Sequence, residues 1–227
     1  MSLYLSRLRL NRNASAAALL PLLNPPEQEK AADAHHRLMW LVFADGPERT
    51  RDFLWRYDDN GQFMTLSTRP PQPHDLFQTP ETKEFSPNLH SGDRLEFLLR
   101  ANATRARKDE QDQWKRVDLV MDRLHKISQA ERATQRPAIA QEAAQEWLTG
   151  LGERSGFTPN DVIAENYNTL ELGRKRRQGA TFGILDLRGQ LTVTDPALFL
   201  PALTKGFGRA KAWGCGLMLI RRALHRA

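Results

Sequence analysis

Two adjacent histidines are the strongest candidates for proton-transfer chemistry in this sequence. His35 and His36 lie in a segment, residues 27–43, whose apolar residues crowd its second half and predict a helix. Successive helix positions point about 100° apart, so the two imidazoles cannot form the i, i+4 pair that binds a metal on one helix face. An imidazole ionises near neutral pH and therefore suits a general acid or base. The alternative is a histidine that is only packed or solvated on the helix.

A run of cations is the second candidate. It contains four consecutive basic residues: Arg174, Lys175, Arg176 and Arg177. The run joins two predicted strands, and like charges crowded at a hairpin tip repel one another unless an anion lies near them. A basic ribbon of this kind can contact phosphates in a nucleic-acid groove. The alternative interpretation is a solvated charged face.

Glycines and cations alternate near the end of the chain. The interleaved residues are Gly206, Gly208, Arg209, Lys211, Gly214 and Gly216. Glycine permits tight turns and close approach to a ligand, and the cations suit a phosphate. A dinucleotide-binding loop needs a strand before its glycines and a helix after them, whereas here a predicted helix precedes and a strand follows. Two interpretations stay open: a loop for a polyanion, or a tight helix-to-strand connection.

A further polar cluster ends a predicted strand at residues 93–102. Arg100 and Asn102 supply a cation and a hydrogen-bonding amide there, and more cations follow at Arg105, Arg107 and Lys108. We expect residues 104–114 to form an exposed loop. Phosphate contact and a plain loop both fit this composition. Exposed aromatic residues paired as a base-stacking platform are not evident.

The elements that must position these residues repeat one order. Strands are predicted at 3–10, 53–57, 63–68, 83–86, 93–102, 162–172, 181–194 and 217–222, with main helices at 27–43, 138–151 and 195–205. Asp195 is predicted to cap the last helix, with Pro196 at its first position. Each half approximates β-α-β-β-α-β, although a second helix is poorly marked in the first half. The sequence thus predicts an α+β fold of two tandem ferredoxin-like domains with antiparallel sheets, residues 1–90 and 91–227.

The composition predicts a basic cytoplasmic protein. The 227 residues include 33 Lys and Arg against 27 Asp and Glu, a net charge of +6, which favours a polyanionic partner. A single cysteine, Cys215, excludes an internal disulfide and a cysteine-based zinc site, and the remaining histidines are scattered, so we expect no metal. No apolar run approaches the ~20 residues of a membrane span, and the start lacks the apolar core of a signal peptide.

Taken together along the chain, these segments resemble the CasE family, the CRISPR-RNA-processing endoribonucleases of type I-E Cascade complexes. The matching blocks are residues 4–7, His36 with Trp40 and Phe43, residues 51–54 and 97–102, and the tail pattern Gly206-x-Gly208-x-x-Lys211-x-x-Gly214-x-Gly216-Leu217. The resemblance implies two ferredoxin-like domains, with CRISPR repeat stem-loop RNA and other Cascade subunits as partners and no small-molecule cofactor. It also implies metal-independent cleavage by the 2′-hydroxyl, which leaves a 2′,3′-cyclic phosphate.

The resemblance also assigns roles to residues. His36 aligns with the catalytic histidine of the family, and the run from Arg174 to Arg177 resembles the element that enters the major groove of the RNA stem. The glycine-rich tail, with Arg209 and Lys211, is expected to hold RNA backbone, as are Arg100 and Asn102.

Several alternatives stay open at this point. Some relatives carry a tyrosine where this chain has Asp33, which leaves the second catalytic group unassigned, and His35 is a rival to His36. A carboxylate at that position orients an imidazole or merely starts a helix turn. The competing functions are a non-catalytic RNA-binding subunit of a CRISPR ribonucleoprotein and an unrelated basic protein that binds small anions.

Overall fold

The computed structural model of the chain describes residues 2–46, 48–58, 61–171 and 181–223. These residues form two compact units. The first contains residues 2–88, Glu171 and Ala210–Leu217, and the second contains Leu89–Leu170, Thr181–Arg209 and residues 218–223. The division between residues 90 and 91 stays a prediction. The predicted basic run, Arg174 to Arg177, lies outside the described residues.

The first unit is a four-stranded antiparallel sheet with helices. Its elements are β1 (Tyr4–Arg9), α1 (Ala14–Leu23), α2 (Gln28–Phe43), β2 (Phe53–Asp58), β3 (Gln62–Ser67), β4 (Glu81–Glu84) and a 3-10 turn at Lys211–Trp213. The strand order is β2-β3-β1-β4, which is the order of a ferredoxin-like sheet. No helix joins β3 to β4 over residues 68–80, all of which the structure describes. The weakly marked helix of the first half is therefore absent from this connection.

Helix α2 forms because one of its faces is apolar and covers the sheet. Leu38, Met39 and Val42 are at most 3% exposed and belong to one core cluster with Trp55 and Phe63 of the sheet. Burying side chains of this size stabilises a fold by about 1.5–3 kcal/mol each. The predicted helix is confirmed, and its packing fixes which way each of its two histidines points.

The second unit has the complete β-α-β-β-α-β order. Its main elements are β5 (Arg94–Ala101), α4 (Arg132–Ser155), β8 (Phe157–Glu171), β9 (Thr181–Val193), α5 (Pro196–Lys205) and β10 (Met218–Arg222), with strand order β10-β5-β9-β8. Asp195 caps α5, since its side chain accepts hydrogen bonds from the backbone N–H groups of Ala197 and Leu198. The predicted cap is confirmed, and α4 is longer than the helix predicted at 138–151.

The expected loop at residues 104–114 is wrong. The chain forms an antiparallel hairpin there, from β6 (Thr104–Lys108) and β7 (Trp114–Asp118), and then a short helix, α3 (Leu119–Leu124). Both strands are mostly charged and lack the apolar alternation by which strands are recognised. Side-chain contacts with α3 and α4 stabilise the hairpin, and these cannot be read from the local sequence.

The carboxylate of Asp118 joins several elements of the second unit. It accepts hydrogen bonds from the backbone N–H groups of Val120, Met121 and Gly183, from the Asn102 amide and from the Tyr167 hydroxyl. Burial, reinforced by this carboxylate, raises the pKa of Tyr167 far above its ordinary range, so the hydroxyl stays protonated and donates. One side chain thus caps α3 and ties it to β8, β9 and the end of β5.

Among the helices in the described residues, none has the length and apolarity of a membrane-spanning segment.

We predict that Gly183→Ala destabilises the protein while Gly150→Ala does not. A Cβ at Gly183 would lie 2.5 Å from Asp118 Oδ2 and would also clash with the Tyr167 hydroxyl, whereas one at Gly150, inside α4, would meet only the tip of Arg154 at 3.7 Å. Overpacking of this kind costs about 1–3 kcal/mol, and Gly to Ala inside a helix gains about 0.5–1 kcal/mol. Thermal unfolding measures both. Equal melting temperatures for the two variants would contradict the packing at Gly183.

Candidate functional site

His36 projects from α2 in the first unit and is oriented by the main chain of the glycine-rich tail. Its Nδ1 lies 2.8 Å from the carbonyl oxygen of Ala212, 176 residues later in the sequence. A carbonyl oxygen can only accept a hydrogen bond, so Nδ1 carries the proton in this contact. The neutral imidazole therefore has its lone pair on Nε2. In the described part of the chain, Nε2 has no hydrogen-bond partner. This arrangement suits a general base.

Two tryptophans hold the His36 ring in place. The ring centroid of Trp213 lies 5.0 Å from that of His36 at an interplanar angle of 34°, and Trp40 lies 6.4 Å away in an edge-on arrangement. These contacts add to the Nδ1 hydrogen bond in restricting rotation of the half-buried imidazole. A ring held in one orientation is typical of a histidine that transfers protons rather than of a histidine that is only solvated.

His35 has a different environment. It is 5% exposed, its Nε2 lies 3.0 Å from Asn24 Oδ1, and its ring packs 4.2 Å from that of Tyr57 and 5.0 Å from that of Phe63. A histidine enclosed by aromatic rings and bonded to an asparagine is a core residue. The structure therefore distinguishes the two adjacent histidines: His35 is built into the core, whereas His36 is half-buried.

Asp33 does not orient the imidazole in this structure. Its carboxylate accepts a hydrogen bond from Arg37 Nη2 at 2.6 Å, one helical turn later, and the pair is well exposed. The orienting partner of His36 is the carbonyl oxygen of Ala212 instead. An exposed i, i+4 pair on a helix contributes about 0.3–0.5 kcal/mol. Of the two alternatives for Asp33, the geometry favours a role within the helix.

The tail segment of the first unit depends on backbone conformations that favour glycine. Ala210 (φ 54°), Gly214 (φ 77°) and Gly216 (φ 93°) all have positive φ around the turn at Lys211–Trp213. A Cβ at Gly214 would lie 3.0 Å from the Trp55 ring. Gly214 is therefore required both for its conformation and for close approach to the sheet. The turn places the Ala212 carbonyl at His36 and carries Lys211, which is half-buried.

The other predicted tail residues lie in the second unit. Gly206 ends α5, and its N–H donates to the carbonyl oxygen of Ala202. Gly208 has φ 75°, and a Cβ there would lie 2.8 Å from the Asn102 carbonyl oxygen. The same oxygen accepts a hydrogen bond from the Arg209 N–H at 3.4 Å, and the Arg209 side chain is exposed. The structure thus brings Asn102, Gly208 and Arg209 together.

Arg100 and Asn102 are engaged within the second unit. The Arg100 guanidinium donates to both oxygens of Asp186, at 2.7 and 3.1 Å. Asn102 is 4% exposed, and its amide donates to Asp118 Oδ2 at 3.2 Å and to the Gly183 carbonyl at 2.8 Å. RNA contact by these two side chains stays a prediction. In the structure Asn102 supports the main chain at Gly208 and Arg209.

Two features of the site were missed from the sequence. The Ala212 carbonyl has no sequence signal, because every residue carries such an acceptor. Asp118 had a usable signal, since an Asp directly before an apolar Leu-Val pair is typical of a helix cap. Among the described residues, no group of three or more His, Cys, Asp or Glu side chains is placed to hold a metal ion.

Comparisons of the sequence with known proteins identify the family of this chain. The family model for CRISPR-associated proteins matches residues 3–222. The CasE subunit of the CRISPR system Cascade from Escherichia coli strain K12 is 25% identical over 193 residues, which cover 81% of this chain and 88% of CasE. The chain therefore belongs to the CRISPR-associated protein family, and the resemblance to CasE is confirmed.

Solved structures support the same fold. The CRISPR endoribonuclease Cse3 bound to a 19-nucleotide RNA is similar with a TM-score of 0.68 and 26% identity, over 96% of this chain and 99% of that one. Thermus thermophilus Cse3, bound to an RNA that represents a pre-cleavage complex, has a TM-score of 0.68 and 24% identity, over 97% and 100% of the two chains. The prediction of two tandem ferredoxin-like domains is confirmed.

We predict that Gly214→Ala releases His36 from its fixed tautomer. The new Cβ would press on the Trp55 ring and strain the positive φ, so the turn moves and the Ala212 carbonyl leaves Nδ1. ¹⁵N NMR of the imidazole then changes from a pure Nδ1–H pattern toward a mixture of both tautomers.

Gly46→Ala is the matched control for this change. A Cβ at Gly46 would meet nothing within 4 Å, so the His36 signals stay as in the unchanged protein. An Nδ1–H pattern that persists in Gly214→Ala would show that the turn does not set the tautomer.

Proposed function

We propose that this protein is a metal-independent endoribonuclease that cleaves CRISPR repeat RNA hairpins to give mature guide RNA. The observation that carries the proposal is the His36 hydrogen bond to Ala212, which leaves the Nε2 lone pair as a proton acceptor. Membership of the CRISPR-associated family and similarity to CasE and to the RNA-bound endoribonuclease Cse3 support the substrate. Other Cascade subunits are its proposed protein partners.

The proposed reaction uses a nucleophile that belongs to the substrate. His36 Nε2 accepts the proton of the 2′-hydroxyl, the O2′–P bond forms as the P–O5′ bond breaks, and the departing 5′-oxygen takes a proton from solvent water to become a hydroxyl. The imidazolium then returns its proton to solvent. The products are a 2′,3′-cyclic phosphate and a 5′-hydroxyl. Because the attacking oxygen is already in the RNA, no metal-bound water has to be generated. In-line placement of the 2′-oxygen supplies the rest of the acceleration.

RNA retention is assigned to the basic and glycine-rich segments. Exposed Arg209 and half-buried Lys211 are two residues apart in the tail. At Gly208 the main chain has a conformation and a close contact that no larger residue would fit. Cations at such a loop contact phosphates and position the RNA without reading its sequence. The full set proposed to contact RNA is Arg100, Asn102, Arg174, Lys175, Arg176, Arg177, Gly206, Gly208, Arg209 and Lys211.

The orientation of His36 favours an enzyme over the alternative, a non-catalytic RNA-binding subunit. A binding protein gains affinity from cations and does not need an imidazole held in one tautomer between two aromatic rings. The two functions differ in one outcome. A nuclease cleaves the repeat RNA in EDTA, whereas a binding subunit retains it intact.

We predict that His36→Ala lowers the single-turnover cleavage rate in EDTA by about 10²–10⁴-fold, the usual contribution of a general acid–base group. RNA affinity changes little, because the imidazole contributes no charge-based phosphate contact in its neutral form. The measurement is cleavage of labelled cognate repeat RNA with saturating protein, together with a filter-binding titration.

His90→Ala serves as the control, since that side chain is 68% exposed in the second unit. It is expected to cleave at the unchanged rate. Full activity of His36→Ala would overturn the assignment, and so would a His35→Gln variant that folds normally but does not cleave.

We predict that replacing Arg174, Lys175, Arg176 and Arg177 by Gln weakens RNA binding and flattens its salt dependence. Each lost phosphate contact removes about 0.7–0.9 from the slope of log K against log salt, so the four changes remove about three. The charge-matched control neutralises four exposed cations elsewhere, Arg12, Lys30, Lys83 and Arg154. Equal slopes for the two variants would place the RNA-binding groove elsewhere.

A further inference from the structure

The β6–β7 hairpin is an insertion in the ferredoxin-like order of the second unit. It leaves the end of β5 and returns to α3 before the unit continues with α4. Five cross-strand pairs hold it, from Thr104 opposite Asp118 to Lys108 opposite Trp114. Asp109 closes its tip, since Oδ1 accepts hydrogen bonds from the backbone N–H groups of Gln111 and Gln113 at 2.9 Å. The hairpin is therefore a preformed ribbon.

One face of this ribbon is neutralised by the protein itself. Arg105 and Arg107 point to the same side, and both donate to the carboxylate of Asp122 on α3. Arg105 also pairs with Glu146 on α4. Burial raises the pKa of Asp122, but the hydrogen bonds from Arg105 and Lys126 outweigh burial and hold it below its usual range, so the carboxylate is ionised. These pairs attach the ribbon to the helices.

The opposite face carries an exposed aromatic ring beside cations. Because side chains alternate along a strand and face their cross-strand partners, Lys108 and Trp114 share this face with Ala106 and Arg116. Trp114 is 69% exposed, and Lys108 Nζ lies 5.7 Å from its ring centroid. Ala106, the smallest side chain on this face, is also exposed.

The cations of this face are available to a ligand. The guanidinium of exposed Arg116 has no ion-pair or hydrogen-bond partner among the residues that the structure describes. Lys108 pairs with Asp112, whose side chain is 79% exposed, so that contact is weak and easily exchanged for a phosphate. An aromatic ring flanked by two such cations is the combination that binds single-stranded nucleic acid by base stacking and phosphate contact.

We propose that the face formed by Ala106, Lys108, Trp114 and Arg116 binds single-stranded RNA. One base stacks on Trp114, and Arg116 and Lys108 contact the phosphates on either side of it. The inference deepens the proposed function, on which it rests for the class of nucleic acid: the face holds RNA that flanks the cleaved hairpin. A protein partner is the competing occupant, but the cations of this face favour a polyanion.

A binding titration with a labelled oligouridylate of about 12 nucleotides tests the proposal, since the length lies within the usual site size for such surfaces. The full chain is compared with Trp114→Ala, Trp114→Phe, Arg116→Gln and, as the charge control, Arg154→Gln on exposed α4. Trp114→Ala is expected to weaken binding about tenfold, Trp114→Phe to restore most of it, and Arg116→Gln to lower the salt slope by about 0.7. Arg154→Gln leaves both unchanged.

The outcomes separate this proposal from the proposed function. Cleavage of a repeat stem-loop trimmed of flanking nucleotides reports on the nuclease alone, and Trp114→Ala cleaves it at the full rate. Oligouridylate binding that is unchanged in Trp114→Ala, with a normal melting temperature, overturns the proposal. Unchanged RNA binding combined with lost association with Cascade subunits also overturns it and assigns the face to a protein.

Discussion

The hydrogen bond between His36 and the Ala212 carbonyl is the contact on which the candidate site depends. It joins residues 176 positions apart and forms only if the tail turns tightly at Lys211–Trp213. This turn requires a positive φ at Gly214. It also requires that Gly214 have no side chain, because the Trp55 ring lies against it. The glycine-rich tail therefore has a definite physical task, which is to present a main-chain acceptor to an imidazole. The proton of the neutral imidazole then sits on Nδ1, which leaves Nε2 as the proposed base.

The second unit depends on a network of hydrogen bonds that is centred on a carboxylate. Asp118 is bonded to Asn102, and Asn102 in turn supports the main chain at Gly208 and Arg209 through its carbonyl. Buried polar groups of this kind specify one geometry, because each has a partner and an unpaired one would cost about 1–3 kcal/mol. In both units, side chains and main-chain atoms far apart in sequence fix a short segment that carries a cation, Lys211 in the first unit and Arg209 in the second.

Most of the fold was predictable from local signals, and parts of the site were not. Asp195 and Pro196 begin α5 as expected, because a helix cap acts through its own neighbours. The sequence predicts a loop where the β6–β7 hairpin lies, because the hairpin depends on side-chain contacts with Asp122 rather than on an alternating pattern of its own. His36 is predicted by residue type and resemblance, but its proposed base role depends on the carbonyl of Ala212, which no residue type reveals. The core position of His35 also depends on tertiary packing, which the local sequence does not show.

A substrate with sulfur in place of the bridging 5′-oxygen tests the base assignment most directly. A thiolate leaves without needing a proton, so this substrate rescues the loss of a general acid but not the loss of a general base. The measurement is the single-turnover rate of His36→Ala on the sulfur-substituted repeat RNA in EDTA, relative to the unchanged protein. His36→Ala is expected to stay severely impaired. Cleavage at the rate of the unchanged protein would contradict the base assignment and make His36 the acid.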